Sequence, residues 1–192
     1  YIAAGDQFGT SLALDNSLLV VGAPEKNTNG ITELGAAFVF APGASINDWI
    51  EQAMLYPQGV ADYAMFGKDV AISGQFIVAG APVLDVSSNS LQGAAFVYQR
   101  HLGGWNNWGL LQEINNINGA ESDTFGTAVG VSGDRIVIGA YQDDFIEQEQ
   151  GSAHVYAIQG TDWYIHTSLY GDDSMNQTVD VDGDWMAVGM PW

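Results

Sequence analysis

The chain has 192 residues, of which 47% are hydrophobic, so it is long enough to bury one substantial core. Its 23 Asp and Glu residues are balanced by only four Lys and Arg residues, and the formal net charge is -19. Such a surface repels phosphate backbones and anionic lipid headgroups, which argues against nucleic-acid binding but is compatible with divalent cations or basic partners. There is no cysteine and no apolar run of the roughly 18 to 20 residues that span a bilayer, so we expect neither disulfides nor membrane insertion.

The sequence repeats itself four times. Each repeat opens with a Phe-Gly pair and reaches a Gly-Ala-Pro triplet 14 residues later, and a degenerate fourth copy keeps this spacing. In chain order the markers are Phe8-Gly9 and Gly22-Ala23-Pro24, Phe66-Gly67 and Gly80-Ala81-Pro82, Phe125-Gly126 and Gly139-Ala140-Tyr141, and Met175-Asn176 and Gly189-Met190-Pro191. Several markers that agree in order and spacing indicate a repeat architecture.

The pattern within each repeat predicts β-strands. Two β-rich runs between the markers are separated by residue types that supply positive φ in two-residue hairpin loops. These pairs are Asp15-Asn16, Ser73-Gly74, Ser132-Gly133 and Asp182-Gly183. The second run is apolar at consecutive positions, for example from Leu18 to Val21, which predicts cover on both faces. In the first three repeats a third run begins at Gly35, Gly93 or Gly151, and a fourth is led by Trp49, Trp108 or Trp163.

Four antiparallel strands in each repeat of about 50 to 60 residues predict an all-β fold made of β-propeller blades. The repeat cores begin near residues 8, 66, 125 and 175, so residues 1–192 are predicted to form a single propeller segment of about three and a half blades, incomplete at both ends. Three arrangements would provide closure or cover: a longer chain, chains that pair to complete a ring, or blades that stack openly into a filament.

Two aromatic positions recur at fixed places in the repeat. We expect Phe8, Phe66 and Phe125 to be buried at the junctions between blades, because each begins a repeat. Trp49, Trp108 and Trp163 occupy one equivalent position, and we interpret all three as packing residues of the blades.

The succession of Phe-Gly, Gly-Ala-Pro and a segment such as Gly93-Ala94-Ala95-Phe96-Val97-Tyr98 resembles the FG-GAP repeat of integrin α-subunit propellers and of many secreted bacterial and protist proteins. The resemblance covers nearly the whole chain. It implies a propeller, usually seven-bladed, that is extracellular or at the cell surface and is engaged in adhesion or protein recognition. It implies no particular ligand, because one fold hosts many functions.

Two acidic segments raise the question of calcium, the one cofactor that the sequence leaves open. The carboxylates of Asp180-Val181-Asp182-Gly183-Asp184 alternate as in a calcium loop, and integrin-type blades carry such a loop between their two markers. Here the marker spacing equals that of the other repeats, so we interpret the segment as a hairpin turn. We interpret Asp143-Asp144, with Glu147 and Glu149, as a solvated loop whose oxygen atoms would be able to wrap an ion.

Two residues are candidate contact or modification sites. Trp105 lies in a Gly- and Asn-rich turn without a counterpart in the other repeats, and is a candidate ligand contact for a sugar or a protein partner. Of the two interpretations, we expect Trp105 to be buried under a neighbouring blade. Asn176 begins the one N-glycosylation sequon, but it stands where the other repeats have the Gly of Phe-Gly, and tight packing there argues against a glycan.

The sequence predicts a binding or structural module and not an enzyme. The three histidines are His101, His154 and His166, and His154 replaces Phe38 and Phe96 in a core strand, so we interpret it as packed. No nucleophile elbow or phosphate-binding glycine loop occurs. We therefore expect an extracellular recognition, adhesion or scaffold propeller that contacts a protein, a glycan or further copies of itself. The alternatives are a propeller hydrolase that acts on glycans through rim carboxylates and a subunit of an extracellular filament.

Overall fold

A computed structural model describes residues 2–45, 47–60, 63–144, 151–171 and 178–189. These residues form strands, turns and loops, and no helix occurs among them, so none of the described segments is a helix that crosses a membrane. Three antiparallel four-stranded sheets and one two-stranded sheet follow each other along the chain. We call the sheets blade 1 (β1–β4), blade 2 (β5–β8) and blade 3 (β9–β12), and we call β13–β14 the fourth-repeat hairpin.

The strands in each sheet pair in sequence order, as expected for propeller blades. Blade 1 comprises β1 Leu12–Asp15, β2 Leu18–Ala23, β3 Ala36–Pro42 and β4 Trp49–Leu55. Blade 2 comprises β5 Val70–Ser73, β6 Phe76–Ala81, β7 Ala94–Arg100 and β8 Trp108–Ile114. Blade 3 comprises β9 Phe125–Ser132, β10 Arg135–Ala140, β11 Ser152–Gln159 and β12 Asp162–Tyr170. The fourth-repeat hairpin comprises β13 Thr178–Asp182 and β14 Trp185–Gly189.

The hairpin loops lie where the sequence predicts them. The first residue of each two-residue loop has a positive φ, between 52° and 57°. These residues are Asn16, Gly74, Gly133 and Gly183. Glycine and asparagine are the residues that adopt this conformation at least cost, which explains their recurrence.

Glycines of the two sequence markers meet at the junctions between blades. A Cβ atom placed on Gly22 would lie 2.1 Å from the carbonyl oxygen of Gly67, and one placed on Gly80 would lie 1.9 Å from that of Gly126. The Gly of one Gly-Ala-Pro triplet therefore contacts the Gly of the next Phe-Gly pair. The approach is close enough that no side chain fits between the two main chains.

A main-chain hydrogen bond accompanies each glycine contact. The N–H of Phe66 donates to the carbonyl oxygen of Leu34 at 2.9 Å, and the N–H of Phe125 donates to that of Gln92 at 2.8 Å. Each bond joins the start of one blade to a residue two positions before the third strand of the preceding blade. The rings of Phe66 and Phe125 are completely buried beside these bonds, as predicted.

Phe8 does not follow that prediction, because its side chain is 39% exposed. Its ring packs edge-on against Phe38 and Phe40 of its own blade, at centroid distances of 5.6 and 6.2 Å. Phe66 and Phe125 are each covered by the blade that precedes them, and no described residue forms such a blade in front of Phe8. Burial of this position therefore requires the neighbouring blade in addition to the blade that carries it.

The inner strands show the same dependence on a preceding blade. Val70 and Ile72 of β5 are buried in the core between blades 1 and 2. The residues equivalent to them in β1, Leu12 and Leu14, are 63% and 66% exposed. Blade 1 thus presents an uncovered apolar sheet face, which we call the blade-1 face and define by Phe8, Leu12, Leu14 and Trp49.

The three equivalent tryptophans differ in burial, so the prediction of blade packing holds only in part. Trp163 is buried and its ring meets Phe76 of blade 2 edge-on at 5.2 Å. Trp108 is half-buried against the core between blades 1 and 2. Trp49 is 43% exposed, and the prediction is wrong for it. Trp108 and Trp163 pack on the preceding blade, whereas no described residue forms a blade that precedes blade 1.

The second strands β2, β6 and β10 are covered on both faces, as predicted, but β14 is largely exposed. The fourth-repeat hairpin has no third or fourth strand among the described residues. Its strand β13 nevertheless lies against β9 of blade 3, so the stacking of inner strands continues into the fourth repeat.

A ladder of side-chain hydrogen bonds joins successive hairpin loops. The N–H of Gly74 donates to Asp15 Oδ2, that of Gly133 to Ser73 Oγ at 3.1 Å, and that of Gly183 to Ser132 Oγ at 3.0 Å. In each case the last residue of a first strand accepts from the loop of the next repeat. Asp and Ser at this position thus bond blade to blade as well as ending the strand.

Replacing Gly67 by alanine should destabilise the protein through the contact between blades. Gly9 is the matched control, because its φ of 93° resembles the 84° of Gly67 while no atom lies within 4 Å of an added Cβ. Gly9→Ala should cost about 1 kcal/mol in backbone strain. Gly67→Ala should cost about 2 kcal/mol more, because its Cβ would meet the Ala36 carbonyl oxygen at 2.5 Å. Urea unfolding measures both; equal losses would refute the steric explanation.

Candidate recognition site

The β7–β8 connection of blade 2 carries the most exposed aromatic side chain among the described residues of blades 1 to 3. Trp105 is 84% exposed at the tip of this connection. The predicted burial under a neighbouring blade is therefore wrong. The connection protrudes beyond the last paired residues of the two strands, Arg100 and Trp108, so no blade reaches the indole.

The connection is held by hydrogen bonds among its own residues. The N–H of His101 donates to the Asn107 carbonyl oxygen at 2.7 Å, and that of Gly104 donates to the His101 carbonyl oxygen at 3.3 Å. Asn106 N–H donates to His101 Nδ1 at 3.1 Å, and Asn107 Nδ2 donates to the Gly103 carbonyl oxygen at 3.0 Å. These bonds fix the loop without help from the other blades.

The indole of Trp105 is supported on one face by a second ring. His101 stacks on it with a centroid distance of 4.6 Å and an interplanar angle of 21°. The opposite face of the indole is open. Asn106 and Asn107, both exposed, follow Trp105 in the same loop. The tip, which we define as residues 101–107, therefore combines a flat apolar surface with adjacent hydrogen-bonding groups.

The first residues of the inner strands surround a cavity of about 570 Å³ along the propeller axis. The described lining is rich in hydroxyl groups, among them Thr10 and Thr127, and contains one carboxylate, Asp69. Burial raises the pKa of Asp69, while hydrogen bonds from the N–H groups of Val129 and Val70 lower it. Both carboxylate oxygens accept these bonds, at 2.8 and 3.0 Å, which gives Asp69 a structural role between blades 2 and 3.

The candidate calcium loop of the fourth repeat is a hairpin turn. Asp182 ends β13, Gly183 begins the two-residue loop, and the N–H of Gly183 donates a hydrogen bond to Ser132 Oγ. No group of three acidic or histidine side chains within the described ranges converges as a metal site would require. Glu147, Glu149 and the sequon residue Asn176 lie outside the described residues. Calcium binding and glycosylation at Asn176 stay predictions.

Asp143 belongs to a buried polar cluster, so its assignment to a solvated loop is wrong. The Ser152 hydroxyl donates to Asp143 Oδ2, and His154 Nε2 lies 3.5 Å from the same oxygen and 2.7 Å from Ser152 Oγ. His154 Nδ1 contacts Ser168 Oγ at 2.9 Å. His154 is packed in the core as predicted, and its hydrogen bonds satisfy the groups that burial removes from water. Asp144, the next residue, is exposed.

The sequence gives a signal for this cluster when the repeats are aligned. Asp143, Ser152 and His154 occupy the positions of Leu84, Ala94 and Phe96 in blade 2, where the same sites are apolar and buried. The three polar residues thus replace an apolar set as a unit. The position of His154 in a core strand indicates that it is buried, but it does not indicate which residues bond to it.

Comparison with known proteins supports the repeat. The family model of the FG-GAP repeat matches residues 2–40, 49–98 and 108–156. No curated protein matches the chain. Among solved structures, Sqt1 of Saccharomyces cerevisiae, a WD40-like propeller, is similar with a TM-score of 0.54 and 11% identity over 92% of this chain. The chain spans 39% of Sqt1, and at this identity the similarity concerns the fold alone.

The polar cluster of blade 3 should behave as a unit under mutation. His154→Phe alone should cost about 3 kcal/mol, because it removes the imidazole from beside the buried polar groups of Asp143, Ser152 and Ser168. The triple variant Asp143→Leu, Ser152→Ala and His154→Phe copies blade 2 and should recover most of that loss. Chemical denaturation of both variants measures the difference. If the triple variant were less stable than the single one, the cluster would not be an exchangeable packing unit.

Proposed function

Because the chain belongs to the FG-GAP repeat family, we propose that it is an extracellular or cell-surface recognition module that binds a protein partner through the tip that carries Trp105. The propeller fold of this family suggests protein–protein interaction in general. The observation that carries the proposal is the exposed indole supported by His101. The extracellular location and a seven-bladed ring follow from the resemblance to integrin α-subunits and secreted proteins and are part of the proposal.

An exposed, preorganised tryptophan is well suited to anchor a protein contact. Tryptophan is enriched among the residues that dominate binding energy, because its large ring buries much area while few torsions become fixed. Here the hydrogen bonds within residues 101–107 also fix the main chain before binding. The ordering cost on association is reduced accordingly. Asn106 and Asn107 supply polar contacts around the apolar centre.

The charge of the chain restricts the partner. With a net charge of -19, the module attracts basic surfaces and repels acidic ones over a distance comparable to the Debye length. We therefore propose a partner with a neutral or basic contact surface. Association should slow as salt concentration rises if the surface is basic.

Binding is favoured over hydrolysis by the axial cavity. A glycosidase of the usual kind needs two carboxyl groups flanking one substrate bond. Among the described residues that line the axial cavity, Asp69 is the one carboxylate, and backbone N–H groups donate to both of its oxygens. The proposal is accordingly a binding function and not an enzymatic one.

Self-association is a second candidate, which the blade-1 face favours. Leu12 and Leu14 occupy positions that are buried in blades 2 and 3, where they pack on the preceding blade. The blade-1 face is therefore shaped to receive another blade. Either a ring-completing copy or an open filament would supply one.

Substituting Trp105 should abolish partner binding without unfolding the module. Ligands selected from a displayed peptide or protein-domain library against the wild-type chain should bind Trp105→Ala at least about tenfold more weakly. Trp185→Ala is the control, because Trp185 is also 84% exposed but lies on the fourth-repeat hairpin. Surface plasmon resonance gives the dissociation constants. Ligands that bind both variants equally well would contradict the proposed site. If a glycan array yielded ligands that depend on Trp105 and the protein and peptide libraries yielded none, the partner would be a glycan and not a protein.

Polar substitution of the blade-1 face should reduce self-association. Wild-type protein should form oligomers at micromolar concentration, and Leu12→Ser with Leu14→Ser should shift it toward the monomer, because this change removes apolar area worth about 25 cal/mol per Å² when buried. Ile117→Ser is the control, since Ile117 is 90% exposed but lies in a loop outside that face. Light scattering coupled to size-exclusion chromatography measures the mass. A monomeric wild type would exclude this second candidate.

A further inference from the structure

A pair of positions recurs in each blade next to the glycine junction. The first position is two residues before the Phe of Phe-Gly, and the second is two residues after the Gly-Ala-Pro triplet. Blade 1 has an acid and a base there, blade 2 has two apolar residues, and blade 3 has two acids. The pairs are Asp6 and Lys26, Ala64 and Leu84, and Asp123 and Asp143.

In blade 1 the pair is a salt bridge. Lys26 Nζ lies 3.1 Å from Asp6 Oδ2, and the two side chains are 12% and 11% exposed. The same oxygen accepts a hydrogen bond from the N–H of Ala3 at 2.8 Å. The Ala3 N–H and Lys26 lower the pKa of Asp6, so its carboxylate is compensated as an anion.

In blade 3 the equivalent carboxyl group, that of Asp123, forms no salt bridge with Lys or Arg within the described ranges. Asp123 is 1% exposed, and its Oδ2 accepts a hydrogen bond from the N–H of Ala120 at 2.6 Å. Its Oδ1 is fully buried and makes no hydrogen bond with any of the described residues. The titratable groups that face Asp123 from the described part of the β10–β11 connection and from β11 are Asp143, Asp144 and His154. Two of these three repel a negative charge on Asp123.

Asp123 also connects blade 2 to blade 3 through its main chain. Its carbonyl oxygen accepts from the N–H of Gln142, which lies next to Asp143. In the same loop the N–H groups of Ser122 and Thr124 donate to the carbonyl oxygens of Ser90 and Leu91 in blade 2, at 2.9 and 3.1 Å. The charge of Asp123 therefore acts on a segment that bonds to both blades.

We propose that Asp123 is a proton-operated latch at the junction of blades 2 and 3. With a proton on its buried carboxyl group, the loop of residues 120–124 closes against residues 141–144, which follow β10. Loss of the proton creates a buried carboxylate beside Asp143 and Asp144, and the loop loosens. No covalent step is involved, and the proton exchanges with solvent.

The direction of the pH dependence follows from burial. Desolvation, the largest influence, and the neighbouring Asp143 and Asp144 raise the pKa of Asp123 from 3.8 to about 6, against the lowering effect of the Ala120 N–H. Between these two values the folded chain holds a proton that the unfolded chain has lost. The contribution of Asp123 to stability is therefore greatest at low pH and is lost as pH rises through about 6. Asp6 has the opposite sign, since its lowered pKa stabilises the fold above its unfolded pKa.

Asparagine variants at the two equivalent positions test the proposal. At about pH 7.5, Asp123→Asn should raise the melting temperature by about 2–4 °C, because the amide mimics the protonated acid and removes the buried charge. This gain should shrink toward zero below about pH 4, where Asp123 is protonated in both the folded and the unfolded wild type. Asp6→Asn should lower the melting temperature at about pH 7.5, because it breaks the bridge to Lys26.

Hydrogen exchange gives a local readout that a general change in stability would not reproduce. The readout is the ratio of amide protection in the wild type to that in Asp123→Asn, measured at the same pH for Ser122 and Thr124. This ratio should fall about tenfold between about pH 5 and 7.5. A pH-independent difference, or a lower melting temperature for Asp123→Asn at about pH 7.5, would overturn the latch. The latch would also be overturned if about 1 mM calcium chloride raised amide protection in the wild type to the level seen in Asp123→Asn, because the carboxylates would then form a cation site.

Discussion

The close approach of two main chains at each blade junction is the constraint on which the rest of the structure depends. Gly22 meets Gly67, and Gly80 meets Gly126, at separations that leave no room for a Cβ atom. This contact brings the start of one blade within hydrogen-bonding distance of the third strand of the preceding blade. It also places Phe66 and Phe125 between two sheets. The Phe-Gly and Gly-Ala-Pro markers are therefore two halves of one interface, contributed by successive repeats.

Because the interface is shared between repeats, the burial of a residue depends on its blade and on the blade before it. Phe66 and Phe8 are equivalent in sequence, yet one is completely buried and the other is exposed. Trp163 and Trp49 differ in the same way. The sequence pattern predicts the position of such residues within the repeat, including the hairpin loops at Asn16 and Gly74. It does not predict their burial, since burial requires a partner surface that lies elsewhere in the chain or on another molecule.

The functional residues were less predictable than the fold, for a physical reason. Trp105 stands out in the sequence because no other repeat has it, but its exposure depends on a self-contained loop whose hydrogen bonds are visible only in the structure. The buried partners of His154 come from a loop and two strands, and only the alignment of repeats connects Asp143 and Ser152 with His154. The candidate functional residues thus lie at positions where one repeat departs from the others, while positions where all repeats agree describe the scaffold.

Blade 3 departs most from the repeat in its polar interior. Asp143 and His154 replace apolar residues, and Asp123 opposes Asp143 where blade 1 has a salt bridge. Buried polar groups of this kind weaken a core unless all of them are satisfied, and they make its stability sensitive to the protonation state. The proposed latch and the proposed recognition tip lie on blades 3 and 2, on either side of one junction.

The junction itself is open to direct measurement by nuclear magnetic resonance. Scalar coupling across a hydrogen bond reports the bond between the Phe66 amide nitrogen and the Leu34 carbonyl carbon, and the bond between the Phe125 amide nitrogen and the Gln92 carbonyl carbon. We expect both couplings to be observed, together with nuclear Overhauser effects between the α-protons of Gly22 and Gly67. Absence of these couplings in a folded protein, with rapid exchange of the Phe66 and Phe125 amides, would contradict the main-chain junction as the basis of the fold.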